Sequence, residues 1–136
     1  MKSVLILIAL LSFSSQVVQA QQPQIISGKH YFWNNSVLYN QNTGKTSPTP
    51  DYGKSGMITF NQVSAGTYTF YLKVARDTVV GAASLANTDN STTTLEGQTA
   101  GSGPIYFSMW KNGNSTVFCF LIPYIGDLLY CASLLP

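Results

Sequence analysis

Between Thr67 and Val74 the chain alternates strictly, with Tyr68, Phe70, Leu72 and Val74 on one side and Thr69, Tyr71 and Lys73 on the other. A period of two carried by β-branched and aromatic residues marks a half-buried strand. The rest of the chain conforms. Beyond residue 20, Gly, Asn, Ser and Pro punctuate the sequence roughly every eight to twelve residues, and no segment holds a 3.6-residue apolar period. The expectation is one all-β domain, sandwich-like or a flattened barrel, of about seven to nine antiparallel strands.

Local patterns place several of those strands. GMITF (56–60) pairs with the 66–75 strand through the NQVSAG connection, and HYFWNNSVLYN (30–40) supplies one or two more. KTSPTPDYGKSG (45–56), with two prolines and two glycines, cannot be a central strand and reads as a loop. ANTDNSTTTLEGQTAGSGP (86–104) also reads as a polar loop, with TTTLEGQT at its centre as an edge strand. Asn112-Gly113 between two alternating apolar runs is a hairpin signature. A turn there pairs Lys111 with Asn114, Met109 with Thr116, Phe107 with Phe118 and Ile105 with Phe120, and leaves Trp110 and Cys119 on the opposite face.

VFCFLIPYIGDLLYC (117–131) then becomes interpretable. Pro123, Gly126 and Asp127 break it, so it falls short of the roughly 20 apolar residues of a spanning helix. Folding the chain back about Ile125 sets Cys119 opposite Cys131 and Phe120 opposite Tyr130. A bridge between cysteines with Cα atoms about 5.5 Å apart is then geometrically natural. Closing so short a loop stabilises a fold by roughly 3 kcal/mol in the chain-entropy account. The middle strand of this meander is apolar on both faces, as strands in the covered centre of a sheet are.

Residues 1–20, MKSVLILIALLSFSSQVVQA, have the layout of a secretory signal peptide: Lys2, an apolar run, and the small-residue site Val18-Gln19-Ala20. The mature domain is therefore expected to be 21–136, secreted to an extracellular, oxidising compartment that suits the Cys119–Cys131 disulfide. Seven Lys and Arg against five Asp and Glu form no basic run, which argues against a nucleic-acid partner. Sequons at Asn34, Asn90 and Asn114 are candidate glycosylation sites.

Catalytic chemistry finds little to work with. His30 is the one histidine, which excludes a multi-histidine metal site or a second histidine for acid–base exchange within the chain, and it reads as an ordinary strand residue. Asp51 and Glu96 are the carboxylates a glycosidase-like pair could use, but nothing in their spacing argues for it. NTDNSTTTLE (87–96) places oxygen-bearing residues at alternate positions yet lacks the glycine and the terminal glutamate spacing of a calcium loop. No catalytic residue, metal or cofactor is expected.

Aromatic and amide side chains remain. Trp110 and Asn112 near the hairpin end, with Asn114 at its turn and Tyr52 and Asp51 from the long loop, are candidate ligand-binding residues, because a sugar ring stacks on an aromatic beside amide and carboxylate partners. The expected function is a glycosylated, non-enzymatic extracellular binding or interaction domain whose partner is a protein or a glycan. One alternative is a lectin-like domain using the loop aromatics. The other is a lipid-anchored or membrane-active surface protein using the apolar C-terminus, although stable membrane insertion is not expected.

Overall fold

The structure, a computed structural model, describes residues 24–74, 77–88, 91–101, 103–121 and 128–136. The expected signal peptide, the sequon asparagine Asn90 and the expected turn about Ile125 lie outside the described residues. Ten strands form a single antiparallel sheet: β1 His30–Trp33, β2 Ser36–Asn40, β3 Thr46–Pro48, β4 Gly56–Ser64, β5 Thr67–Val74, β6 Asp77–Thr88, β7 Thr92–Thr99, β8 Gly103–Asn112, β9 Ser115–Leu121 and β10 Leu128–Leu134. A short 3-10 turn, Asp51–Gly53, precedes β4.

From β4 to β10 each strand pairs with the next, making an up-and-down meander. The first three strands break that order. β1 pairs with β4 at one end of the sheet, whereas β2 pairs with β10 at the other and carries β3 on its outer edge. Only Asn34 and Asn35 separate β1 from β2, so the two ends of the sheet must come together. The sheet therefore curls into a half-barrel instead of splitting into two packed layers, in the sense that strand twist favours. At the seam, the Leu135 amide donates to the Phe32 carbonyl at 2.7 Å.

The count of ten exceeds the expected seven to nine. The 30–40 segment divides at Asn34-Asn35 into two strands, and the Pro-rich 45–56 segment contains the short edge strand β3, where Pro48 can sit opposite Val37 because an outermost strand needs no donor on its free side. A further correction concerns TTTLEGQT. It is β7, an interior strand between β6 and β8, with Thr92, Thr93, Thr94 and Leu95 all buried. Threonine's branched, compact side chain suits such a site while its hydroxyl makes the segment look loop-like in sequence.

The expected pairing of β4 with β5 is found, and Tyr68, Phe70 and Leu72 are buried while Thr69, Tyr71 and Lys73 are exposed. The β8–β9 hairpin keeps the expected faces with its pairing moved by two residues. Asn112 lies opposite Ser115, Met109 opposite Phe118 and Phe107 opposite Phe120. The loop is Gly113-Asn114, with Gly113 at φ 65°, in place of Asn112-Gly113. An even shift moves no side chain to the other face, so the apolar pattern is satisfied by both pairings.

The concave face is filled by rings. Phe107 is the hub, with its centroid 5.0 Å from Phe70, 5.3 Å from Phe60 and 5.8 Å from Phe118. The series continues through Phe118–Phe120 at 5.9 Å and Phe120–Tyr130 at 4.8 Å. These are favourable aromatic separations, each pair contributing about 0.5–1.5 kcal/mol beyond its buried area. Where β6 pairs with β7 beside Phe70, a Cβ on Gly81 would lie 2.0 Å from the Gln98 carbonyl oxygen, so only glycine allows the two backbones this approach.

On the opposite, convex face of β8–β10 a second apolar cluster gathers Trp110, Cys119, Leu121, Leu129 and Cys131. Cys119 and Cys131 pair directly across β9 and β10 and are joined by a disulfide, with Cα atoms 4.2 Å apart. That is closer than the expected 5.5 Å and corresponds to the close, non-hydrogen-bonded type of antiparallel pair. Among the described residues, no helix is long and apolar enough to cross a membrane.

Candidate functional site

The expected ligand-binding residues are distributed over two places. Asp51 and Tyr52 lie on the 3-10 turn, where Asp51 pairs with Lys54 at 3.1 Å and Tyr52 is 75 % exposed. The adjoining Gly53 carbonyl accepts from the Tyr130 hydroxyl, which ties the turn to the concave face. Trp110 instead belongs to the convex cluster and is only 5 % exposed, with Val117 as its cross-strand neighbour. Asn112 is exposed two residues further along the same strand, and Asn114 is exposed in the hairpin loop. The turn pair and the hairpin pair are thus anchored to opposite faces of the sheet.

Glu96 and Asp51 are also apart in the fold. Glu96 stands on β7 and Asp51 on the turn tied to β10, with β8 and β9 between these strands. His30 is exposed at the start of β1, its Nδ1 hydrogen-bonded to Thr59 Oγ1 at 2.6 Å. Among the described residues, no group of three or more His, Cys, Asp or Glu side chains gathers where it could hold a metal ion.

Among the described residues, concave places open on the convex side of the sheet. The first, of about 440 Å³, runs along β2, β10 and the start of β9, with Val37, Val117 and the disulfide residue Cys131 as its floor. Asn34 and Ser115, which belong to two of the three sequons, contribute to its lining. Val37 and Leu135, which also line it, are both substantially exposed, so this groove is largely apolar.

The second groove, of about 360 Å³, crosses the middle of β6, β7 and β8. Alternation puts Ser84, Glu96 and Tyr106 in one cross-strand row on this face, and Ala82, Gln98 and Pro104 in the next. Rows on one face of a strand are spaced by two residues, about 6.8 Å. Among the described residues, no hydrogen bond or ion pair engages the side chains of Ser84, Glu96, Gln98 or Tyr106. This contrasts with the seam, where Ser36 donates to Thr49 at 2.9 Å.

Reading the sequence for loops passed over this second groove. The signal was present in Glu96 and Gln98, which share a face as soon as 92–99 is read as a strand flanked on both sides. The chain matches no family model, no curated protein and no solved structure.

Proposed function

We propose that the chain is a secreted, non-enzymatic binding domain that engages an extracellular partner through the convex side of its half-barrel. The observation that carries this reading is the division of labour between the two faces. The concave face is packed with interlocked aromatic rings from Trp33 to Tyr130, whereas concave places open to solvent are found on the convex side. Ligand pockets are concave and combine apolar surface with a few converging polar groups, a description that suits the convex grooves. A disulfide across β9 and β10 behind one of them supports a rigid scaffold exported to an oxidising compartment.

The test is expression of the full chain in eukaryotic cells, followed by mass mapping of the medium and binding of the purified, fluorescently labelled product to intact cells. The expected product starts near Gln21, contains a Cys119–Cys131 linked peptide and binds cells saturably. Retention of the uncleaved chain inside the cell, or non-saturable adsorption alone, overturns the proposal.

A further inference from the structure

We infer that the β6–β8 groove is a neutral-saccharide site, with Tyr106 as the stacking ring and Glu96, Gln98 and Ser84 as the hydroxyl-binding groups. This inference rests on the binding-domain reading above and names its ligand class. The groove gathers a carboxylate, a primary amide, a hydroxyl and a phenol in two adjacent rows. Directly opposed residues on paired strands hold their Cβ atoms about 4.5–5.5 Å apart, which sets Glu96 beside both Ser84 and Tyr106.

The chemistry selects the ligand. Sugar hydroxyls both donate and accept: Glu96 can accept from two of them, Gln98 can donate to one and accept from another, and Ser84 can do either. The C–H face of a hexose packs against an aromatic ring such as Tyr106. Ala82 and Pro104 keep the neighbouring row low, so a flat ring can lie on the sheet. The two rows, about 6.8 Å apart, present a span that one hexose with its exocyclic hydroxyls can bridge.

Other ligand classes fit less well. An extended peptide would add to a free strand edge, but β7 is hydrogen-bonded on both sides. A phosphorylated or nucleic-acid ligand would meet the Glu96 carboxylate with no Lys or Arg in the groove lining. A purely apolar ligand would leave four polar groups without partners.

The test uses the full secreted protein, first on an array of neutral hexose and N-acetylhexosamine oligosaccharides, then by titrating the best free oligosaccharide against wild type and variants. Glu96→Gln and Gln98→Ala replace exposed side chains and leave the core intact. Each is expected to weaken binding about tenfold, the scale of a lost hydrogen bond to a charged or polar partner, and the double variant about a hundredfold. Lys45→Ala, on the far edge of the sheet, is expected to bind as wild type does. A blank array, or affinity unchanged in the Glu96→Gln/Gln98→Ala double variant, overturns the inference, as does loss of binding in Tyr52→Ala with those two variants unaffected. Saturable cell binding that survives enzymatic removal of surface glycans refutes the saccharide site while leaving the binding-domain reading in place. Failure of the wild-type protein to bind cells at all counts against both.

Discussion

The indole Nε1 of Trp33 donates to the hydroxyl of Tyr130 at 3.1 Å, across 97 residues of sequence. The same hydroxyl donates onward to the Gly53 carbonyl. One phenol thus joins β1 at one end of the sheet, β10 beside its other end, and the connection that returns from β3 to β4. The rings of Trp33 and Tyr130 also meet edge to face at 5.9 Å. Because both residues are buried, each polar group in the relay depends on its partner to offset desolvation.

Tyr130→Phe keeps the ring and removes the relay. It leaves the Trp33 N–H and the Gly53 carbonyl without this partner, at a cost of about 1–3 kcal/mol. Urea unfolding monitored by tryptophan fluorescence is expected to show a lower midpoint with an unchanged slope.

Gly56 lies opposite Trp33 in the β1–β4 pairing, and a Cβ there would fall 2.3 Å from the indole Cζ2. That Cβ would also lie 2.6 Å from the Lys73 carbonyl oxygen, whereas a Cβ on Gly81 would lie 2.0 Å from the Gln98 carbonyl oxygen and 2.9 Å from the Phe70 ring. Both alanine variants are expected to destabilise the fold, by about 3 kcal/mol on the scale of overpacked sites. Gly81→Ala should be the worse of the two, since a backbone oxygen in a paired strand cannot rotate away and the approach to it is closer at Gly81. Parallel denaturation curves check the ranking.

Replacing both Cys119 and Cys131 by alanine removes a staple but spares the aromatic core, which lies on the other face of the same strands. A loss of roughly 3 kcal/mol is expected from the chain-entropy account. The far-ultraviolet circular dichroism of the variant should remain that of a β-sheet at zero denaturant, with the loss appearing as a shifted urea midpoint. A coil spectrum at zero denaturant would show that the bridge is required for folding.

Phe107→Ala removes the hub on which Phe60, Phe70 and Phe118 converge. The expected loss is about 3–5 kcal/mol, a large part of the stability of a domain this size. Phe107→Leu retains most of the volume and should lose markedly less. Comparison of the two thermal midpoints separates cavity formation from loss of ring contacts.

Asn34 and Asn114 are exposed at the β1–β2 connection and in the β8–β9 loop. In eukaryotic secretion both are expected to carry glycans that an amide-cleaving glycosidase removes, each site gaining the mass of one aspartate conversion. Peptide mapping of the treated and untreated protein reads the outcome directly.

Much of the local structure follows from the order of residues. Alternation in 67–74 assigns each side chain to a face because strand geometry has a period of two, whatever the neighbours are. The same rule made Phe107, Met109, Phe118 and Phe120 one apolar set and placed Cys119 opposite Cys131, since both relations depend on short connections. The two-residue shift in the β8–β9 hairpin was invisible to that rule because an even shift preserves every face.

Tertiary structure alone decided which distant strands became neighbours. No local pattern pairs β2 with β10 or β1 with β4; those pairings arise because closing the curl buries Trp33 and Tyr130 together. The meander of β6, β7 and β8 made β7 an interior strand and aligned Glu96 with Tyr106 on one side and Ser84 on the other, and Trp110 was withdrawn into the convex cluster. Strand periodicity is a property of neighbouring residues, so the sequence could declare it. A groove made by three strands depends on which chains pair and in what register, and that is settled only when the whole sheet has formed.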